Sequence, residues 1–122
     1  MKRNPIFCAI DTNDIHKATS LLSDITPHIG GIKVGLEFFT SLGVKGIEEV
    51  KKFNKPLFID LKLYDIPNTV RAALKNILAL NPEYTTLHIS GGRRMLEDCV
   101  EEKIKSDSST KLIGVTTVSY TH

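Results

Sequence analysis

A chain of 122 residues, 41% of them hydrophobic and 25% charged, has the composition of an ordinary globular domain, which excludes a disordered, collagen-like or disulfide-stapled protein. Sixteen Lys and Arg against fourteen Asp and Glu leave a formal charge of +2, too balanced for the basic face of a non-specific nucleic-acid binder, although a small anionic ligand is compatible with it. Cys8 and Cys99 are too few for a disulfide framework and read as reduced thiols of a cytoplasmic protein, while the apolar run Ile6 to Ile10 is too short for a secretory core or a membrane span.

Apolar runs recur at Ile6 to Ile10, Gly31 to Gly35, Pro56 to Leu61, Tyr84 to Ile89 and Lys111 to Val118, and read as strands buried on both faces. Helical spacing fills the gaps: Ile15, Ala18, Leu22 and Ile25; then Val44, Ile47 and Val50; then Val70, Leu74, Ile77 and Leu78; then Met95, Cys99 and Ile104. Taking Phe7, Ile32, Phe58, Leu87 and Ile113 as strand centres gives spacings of 25, 26, 29 and 26 residues, the size of a βα unit rather than of a hairpin. Breakers fall between the units. Asn13 or Asp14 precedes the first helix, Gly30-Gly31 the second strand, Asn81-Pro82 follows the third helix, and Ser106 to Thr110 precedes the last strand. The expectation is an α/β fold with a parallel sheet, residues 1–122 forming a single unit of about five βα repeats. Such repeats open either a doubly wound sheet or a (β/α)8 TIM barrel, which at this length would lack roughly three units.

The charged residues inside these runs carry the chemistry. Asp60 and Lys62 are two apart on a strand and so are expected on one face, with Asp65 at the strand's exit. Lys33 sits between Ile32 and Val34, and Asp11 closes the first apolar run. Each has a structural explanation on its own: a surface ion pair, a snorkelling lysine, a helix cap at Asp11 or Asp65 followed by Pro67 in the first turn. Together Asp11, Lys33, Asp60 and Lys62 place two carboxylates and two ammonium groups at the C-terminal ends of three parallel strands, the rim where α/β folds hold ligands. Alternating signs keep every group charged.

Asp60-Leu61-Lys62-Leu63-Tyr64-Asp65-Ile66-Pro67-Asn68-Thr69-Val70 resembles the signature of the orotidine 5'-phosphate decarboxylase family. It is supported in order and spacing by Ala9-Ile10-Asp11, Ile32-Lys33-Val34-Gly35-Leu36-Glu37, His88-Ile89-Ser90-Gly91-Gly92 and Val115-Thr116-Thr117-Val118-Ser119. Metal-dependent sugar-phosphate decarboxylases and aldolases share the Asp-x-Lys-x-x-Asp core, but Ile66-Pro67-Asn68-Thr69 points to the nucleotide enzyme.

The resemblance implies a (β/α)8 barrel, a homodimer, and a site that uses neither metal nor organic cofactor. It makes Lys33, Asp60, Lys62 and Asp65 the charged catalytic network, with Lys62 the proton donor. Asp65, Ile66 and Thr69 would be donated across the dimer interface, Asp11, Lys33 and Thr69 would bind the ribose, and Ser119 the pyrimidine edge. The glutamine and arginine with which the family grips the substrate phosphate would lie beyond residue 122. The chemistry suits these residue types. Loss of CO2 from orotate leaves electrons in an in-plane orbital with no electron sink, so the carbanion needs a fixed cation beside it and then a proton; an ammonium supplies both. Asp60 beside the substrate carboxylate would contribute repulsion of about 4 kcal/mol at 4 Å, short of the roughly 8 to 23 kcal/mol by which enzymes lower barriers, so Lys62 matters more. Two further readings are a catalytically impaired remnant that self-associates and a metal-dependent sugar-phosphate lyase. His88 and Gly91-Gly92 read as a core group and a helix entry, and both cysteines as packing residues.

Overall fold

The apolar runs fold as strands and the periodic stretches as helices in the computed structural model, which describes residues 2–116. In chain order these are β1 (Phe7–Ala9), α1 (Ile15–Ile25), β2 (Gly31–Gly35), α2 (Leu36–Lys51), β3 (Leu57–Leu63), α3 (Pro67–Ala79), β4 (Tyr84–His88), α4 (Arg93–Lys105) and β5 (Lys111–Val115). The pairs β1–β2, β2–β3 and β4–β5 are parallel, as the βα spacing requires. The architecture is α/β. It divides into two compact units, Met1–Asp60 and Leu61–His122, and β3 runs from one into the other.

In the first unit the register sets Ala9 opposite Lys33, Lys33 opposite Phe58 and Gly35 opposite Asp60. Ile32, Val34 and Ile59 are fully buried, as are Ala18 and Leu22 of α1 and Phe38 and Ile47 of α2. Burying a side chain of the Val, Leu or Ile class contributes roughly 1.5–3 kcal/mol, so this layer fixes the strands that carry the charged residues. Of the two caps considered for α1, the structure selects Asp14, whose carboxylate accepts from the amides of His16 and Lys17. α2 begins earlier than its periodicity indicates, directly after β2 at Leu36, and is broken at Gly43, where φ of +60° suits only glycine without penalty. Beyond that kink Val44 turns out to solvent while Ile47 and Val50 stay buried.

The second unit is built on Val70, Leu74 and Leu78 of α3, Leu87 of β4, and Met95 and Cys99 of α4, with Leu63, Leu96 and Leu112 packed against them. The α4 stripe stops at Cys99, because Ile104 faces solvent. Arg71 ties α3 to α4, donating to Glu102 at 3.3 Å and Glu101 at 3.1 Å, and Ser106 Oγ donates to the far oxygen of Glu102 at 2.8 Å. β2 and β4 are buried along most of their length, as their apolar runs predict. β1 and β5 are instead half-buried or exposed throughout. An apolar run reports the faces a strand can bury, not the neighbours it has. Among the described residues no helix is long and apolar enough to cross a membrane.

Candidate active site

Within the first unit, three of the predicted charged residues come to adjacent strands: Asp11 just past the end of β1, and Lys33 and Asp60 at the middle of β2 and β3 rather than at their C-terminal ends. Lys33 lies in β2, and its ammonium reaches Asp60 Oδ2 at 3.5 Å, with Asp60 buried and Lys33 about one-third exposed. The Lys33 carbonyl accepts from the Ile10 amide at 2.8 Å, which fixes the end of β1 beside β2. Asp11 follows immediately and is exposed. A methyl group built on Gly35 would stand 3.7 Å from the Asp60 carbonyl oxygen and 4.0 Å from Asp11 Oδ1, so both acidic residues border the same bare stretch of β2 backbone. Asp11 does not cap α1, a role taken by Asp14, so its carboxylate stays at this rim.

The second unit carries Lys62 and the β3–α3 connection. Within β3 the backbone leaves the extended conformation at Lys62, which has φ of +49°. That left-handed conformation is costly for a residue with a Cβ and clusters at functional sites. The Lys62 amide donates to Thr86 Oγ1 at 2.9 Å, and the Lys62 side chain is exposed. Two residues on, the exposed Tyr64 ring packs on His88 of β4 with centroids 5.1 Å apart. His88 Nδ1 accepts from the Ser90 amide at 3.2 Å, so this nitrogen acts as an acceptor. Asp65 is near the start of α3 but is not its cap. Ile66 occupies that position, Pro67 opens the helix, and Asp65 Oδ1 accepts from the Ile66 amide at 2.7 Å. Asp65, Ile66 and Thr69 are all exposed. Ser119 lies outside the described residues.

Taken unit by unit, the first presents an ammonium–carboxylate pair on adjacent parallel strands and the second an exposed lysine on left-handed backbone, groups of the kind that hold polar or anionic ligands. The sequence matches the Orotidine 5'-phosphate decarboxylase / HUMPS family over residues 4–122. The chain belongs to that family. It is 52% identical over 116 residues to the orotidine 5'-phosphate decarboxylase of Wolbachia sp. subsp. Brugia malayi (strain TRS), covering 95% of this chain and 51% of that relative. Among solved structures, orotidine 5'-phosphate decarboxylase from Lactobacillus acidophilus superposes with a TM-score of 0.83 at 31% identity, over 95% of this chain and 54% of the other. Orotidine 5'-monophosphate decarboxylase from Methanocaldococcus jannaschii, complexed with inhibitor BMP, gives 0.84 at 28% identity, over 94% and 53%. The chain spans about half the length of the curated relatives it matches.

Thr86, which holds the Lys62 amide, and His88, which packs on Tyr64, make contacts that the apolar pattern of β4 does not predict. The signal was present in β4, where Thr86 and His88 are two apart and therefore on one face of a strand otherwise read as apolar.

Proposed function

We propose that this chain carries the strand-one to strand-five part of an orotidine 5'-phosphate decarboxylase, a cofactor-free carboxy-lyase that converts orotidine 5'-phosphate to uridine 5'-phosphate and CO2 in pyrimidine synthesis. The observation that carries the reading is the buried Asp60 carboxylate paired with Lys33 and followed two residues later by Lys62, within a chain matched to the family over residues 4–122. In this reading the bond from the pyrimidine ring to the carboxylate breaks, its electron pair stays on the ring carbon, and CO2 leaves. The Lys62 ammonium stabilises that pair and transfers one proton to it. The resulting amine regains a proton from solvent. Lys33 keeps Asp60 ionised, so that its carboxylate repels that of the substrate, and both are held before substrate arrives, so little reorganisation accompanies the reaction.

Asp11 and Lys33 bind ribose hydroxyls, Thr69 touches the ribose region, and Ser119 bonds the pyrimidine edge. Asp65, Ile66 and Thr69 are donated to the site of a second copy, so that two cytoplasmic chains share each centre. The solvent exposure of Tyr64, Asp65, Ile66 and Thr69 at the start of α3 supports that assignment, since apolar side chains such as Ile66, 66% exposed, favour a covered surface.

Ultraviolet absorbance of orotidine 5'-phosphate, followed with the purified chain beside a Lys62→Ala control, tests the reading. Substrate loss with the parent alone, unaffected by a chelator, is expected. No loss above the control overturns the activity, and loss abolished by the chelator overturns the cofactor-free mechanism.

A further inference from the structure

We infer that Thr86 is a positioning residue for Lys62: its hydroxyl oxygen holds the Lys62 amide and, with it, the left-handed backbone from which the ammonium leaves β3. Its consequence for turnover rests on Lys62 being the proton donor; the geometry does not. A lysine at φ of +49° inside a strand persists only where its surroundings over-determine it. Thr86 is placed to do so. It lies in the middle of β4, only 3% exposed, between the buried Thr85 and Leu87, and the parallel register with β5 sets it opposite Ile113. As a β-branched residue it has few χ1 choices, so its oxygen is a fixed acceptor, 24 residues away in sequence and 2.9 Å away in space. In a regular parallel ladder a strand amide donates to a backbone carbonyl of its neighbour; at Lys62 a side-chain oxygen takes the bond instead, and the chain turns.

A second contact on the same β4 face acts on the same segment. His88, two residues beyond Thr86, packs its ring against Tyr64, two residues beyond Lys62. The exit of β3 is thus held at two alternate positions by two alternate positions of β4. Valine in place of Thr86 keeps the volume and loses the acceptor; serine keeps the acceptor. The side-chain oxygen, not its bulk, is therefore the testable element.

The test is nuclear magnetic resonance of the whole chain in the parent, Thr86→Val and Thr86→Ser, reading the Lys62 amide–Hα coupling and amide exchange, with turnover measured on the same samples. The expected result is a left-handed coupling in the parent and in Thr86→Ser. In Thr86→Val the coupling shifts toward the extended value and exchange quickens by roughly two- to tenfold, the worth of one hydrogen bond. Where the chain turns substrate over, Thr86→Val lowers kcat with KM unchanged and Thr86→Ser restores it. Unchanged coupling and exchange at Lys62 in Thr86→Val overturn the inference, whatever the activity. If Thr86→Val does not fold, an extended-strand coupling in the parent, or loss of the left-handed one in Thr86→Ser, overturns it equally. A shifted coupling in a chain without any turnover sustains the positioning role and rejects the decarboxylase reading instead.

Discussion

Lys33 Nζ meets Asp60 Oδ2 at 3.5 Å although the strand register sets Asp60 opposite Gly35, not opposite Lys33. The lysine reaches two residues forward along β2, over the position where glycine leaves the rim bare, to find the carboxylate. A partly exposed pair of this kind contributes about 1 kcal/mol, and residues in contact couple by about 0.5–3 kcal/mol. Lys33→Met is therefore expected to destabilise the chain more than Lys33→Met combined with Asp60→Asn, because the single change leaves a buried carboxylate with one partner fewer. A double-mutant cycle of urea midpoints checks this; strict additivity would show that the pair is not coupled. Either single change lowers turnover by about a hundredfold or more if the preorganised charges act as proposed.

Strain at Lys62 has a cost that a substitution can measure. A residue with a Cβ in the left-handed region costs roughly 1–2 kcal/mol, and glycine does not. Lys62→Gly should thus unfold at a temperature several degrees above that of Lys62→Ala, about 4 °C for 1 kcal/mol in a chain of this size, and on the proposed function neither turns substrate over. Equal melting temperatures would mean that the backbone of Lys62 relaxes at no cost.

The order of strands and helices was legible because buried parallel strands and amphipathic helices write two different periods into the chain, and Ala18, Leu22, Val70, Leu74 and Cys99 are buried as those periods require. Asp11, Lys33 and Asp60 were legible as charges that interrupt apolar runs. The start of α2 was not, because Leu36 to Leu42 follows β2 without a breaker and Gly43 resets the helical phase. The turn at Lys62 was not either. Alternation assumes extended backbone, and what overrides it is a hydrogen bond to Thr86, a partner 24 residues away that no local pattern contains.

Acid should expose the α3–α4 tie. The hydrogen bond from Ser106, reinforced by Arg71, holds the Glu102 carboxyl below its ordinary 4.5, and Glu102 in turn raises the Arg71 guanidinium. A carboxyl with a lowered folded value stabilises the fold above the ordinary value, and the stabilisation is lost as pH falls through the lowered one. Glu102→Gln should accordingly be less stable than the parent at pH 7, with the gap closing as pH drops below about 4.5. Urea unfolding of both at pH 7, 5, 4 and 3 measures it; a gap constant across the series would show that the bonds are made equally well by the neutral amide.

Base should act on the second unit through Cys99. Burial in the α3–α4 core, with help from the charge of Asp98 and against that of Arg71, pushes its thiol from 9.0 up to about 11. The group stays protonated in the fold over a range where the unfolded chain ionises, so its contribution is fully present below pH 9 and is lost between pH 9 and 11. Two pH units correspond to roughly 3 kcal/mol at most. Cys99→Ala removes this alkaline limb while leaving a small cavity, so the variant is less stable than the parent at pH 7 and the two converge toward pH 11. Thiol access gives an independent reading at pH 8. Half-buried Cys8 should react with a disulfide reagent in the native chain, whereas fully buried Cys99 reacts only at the rate of opening. Equal labelling rates for the two would place Cys99 outside the core.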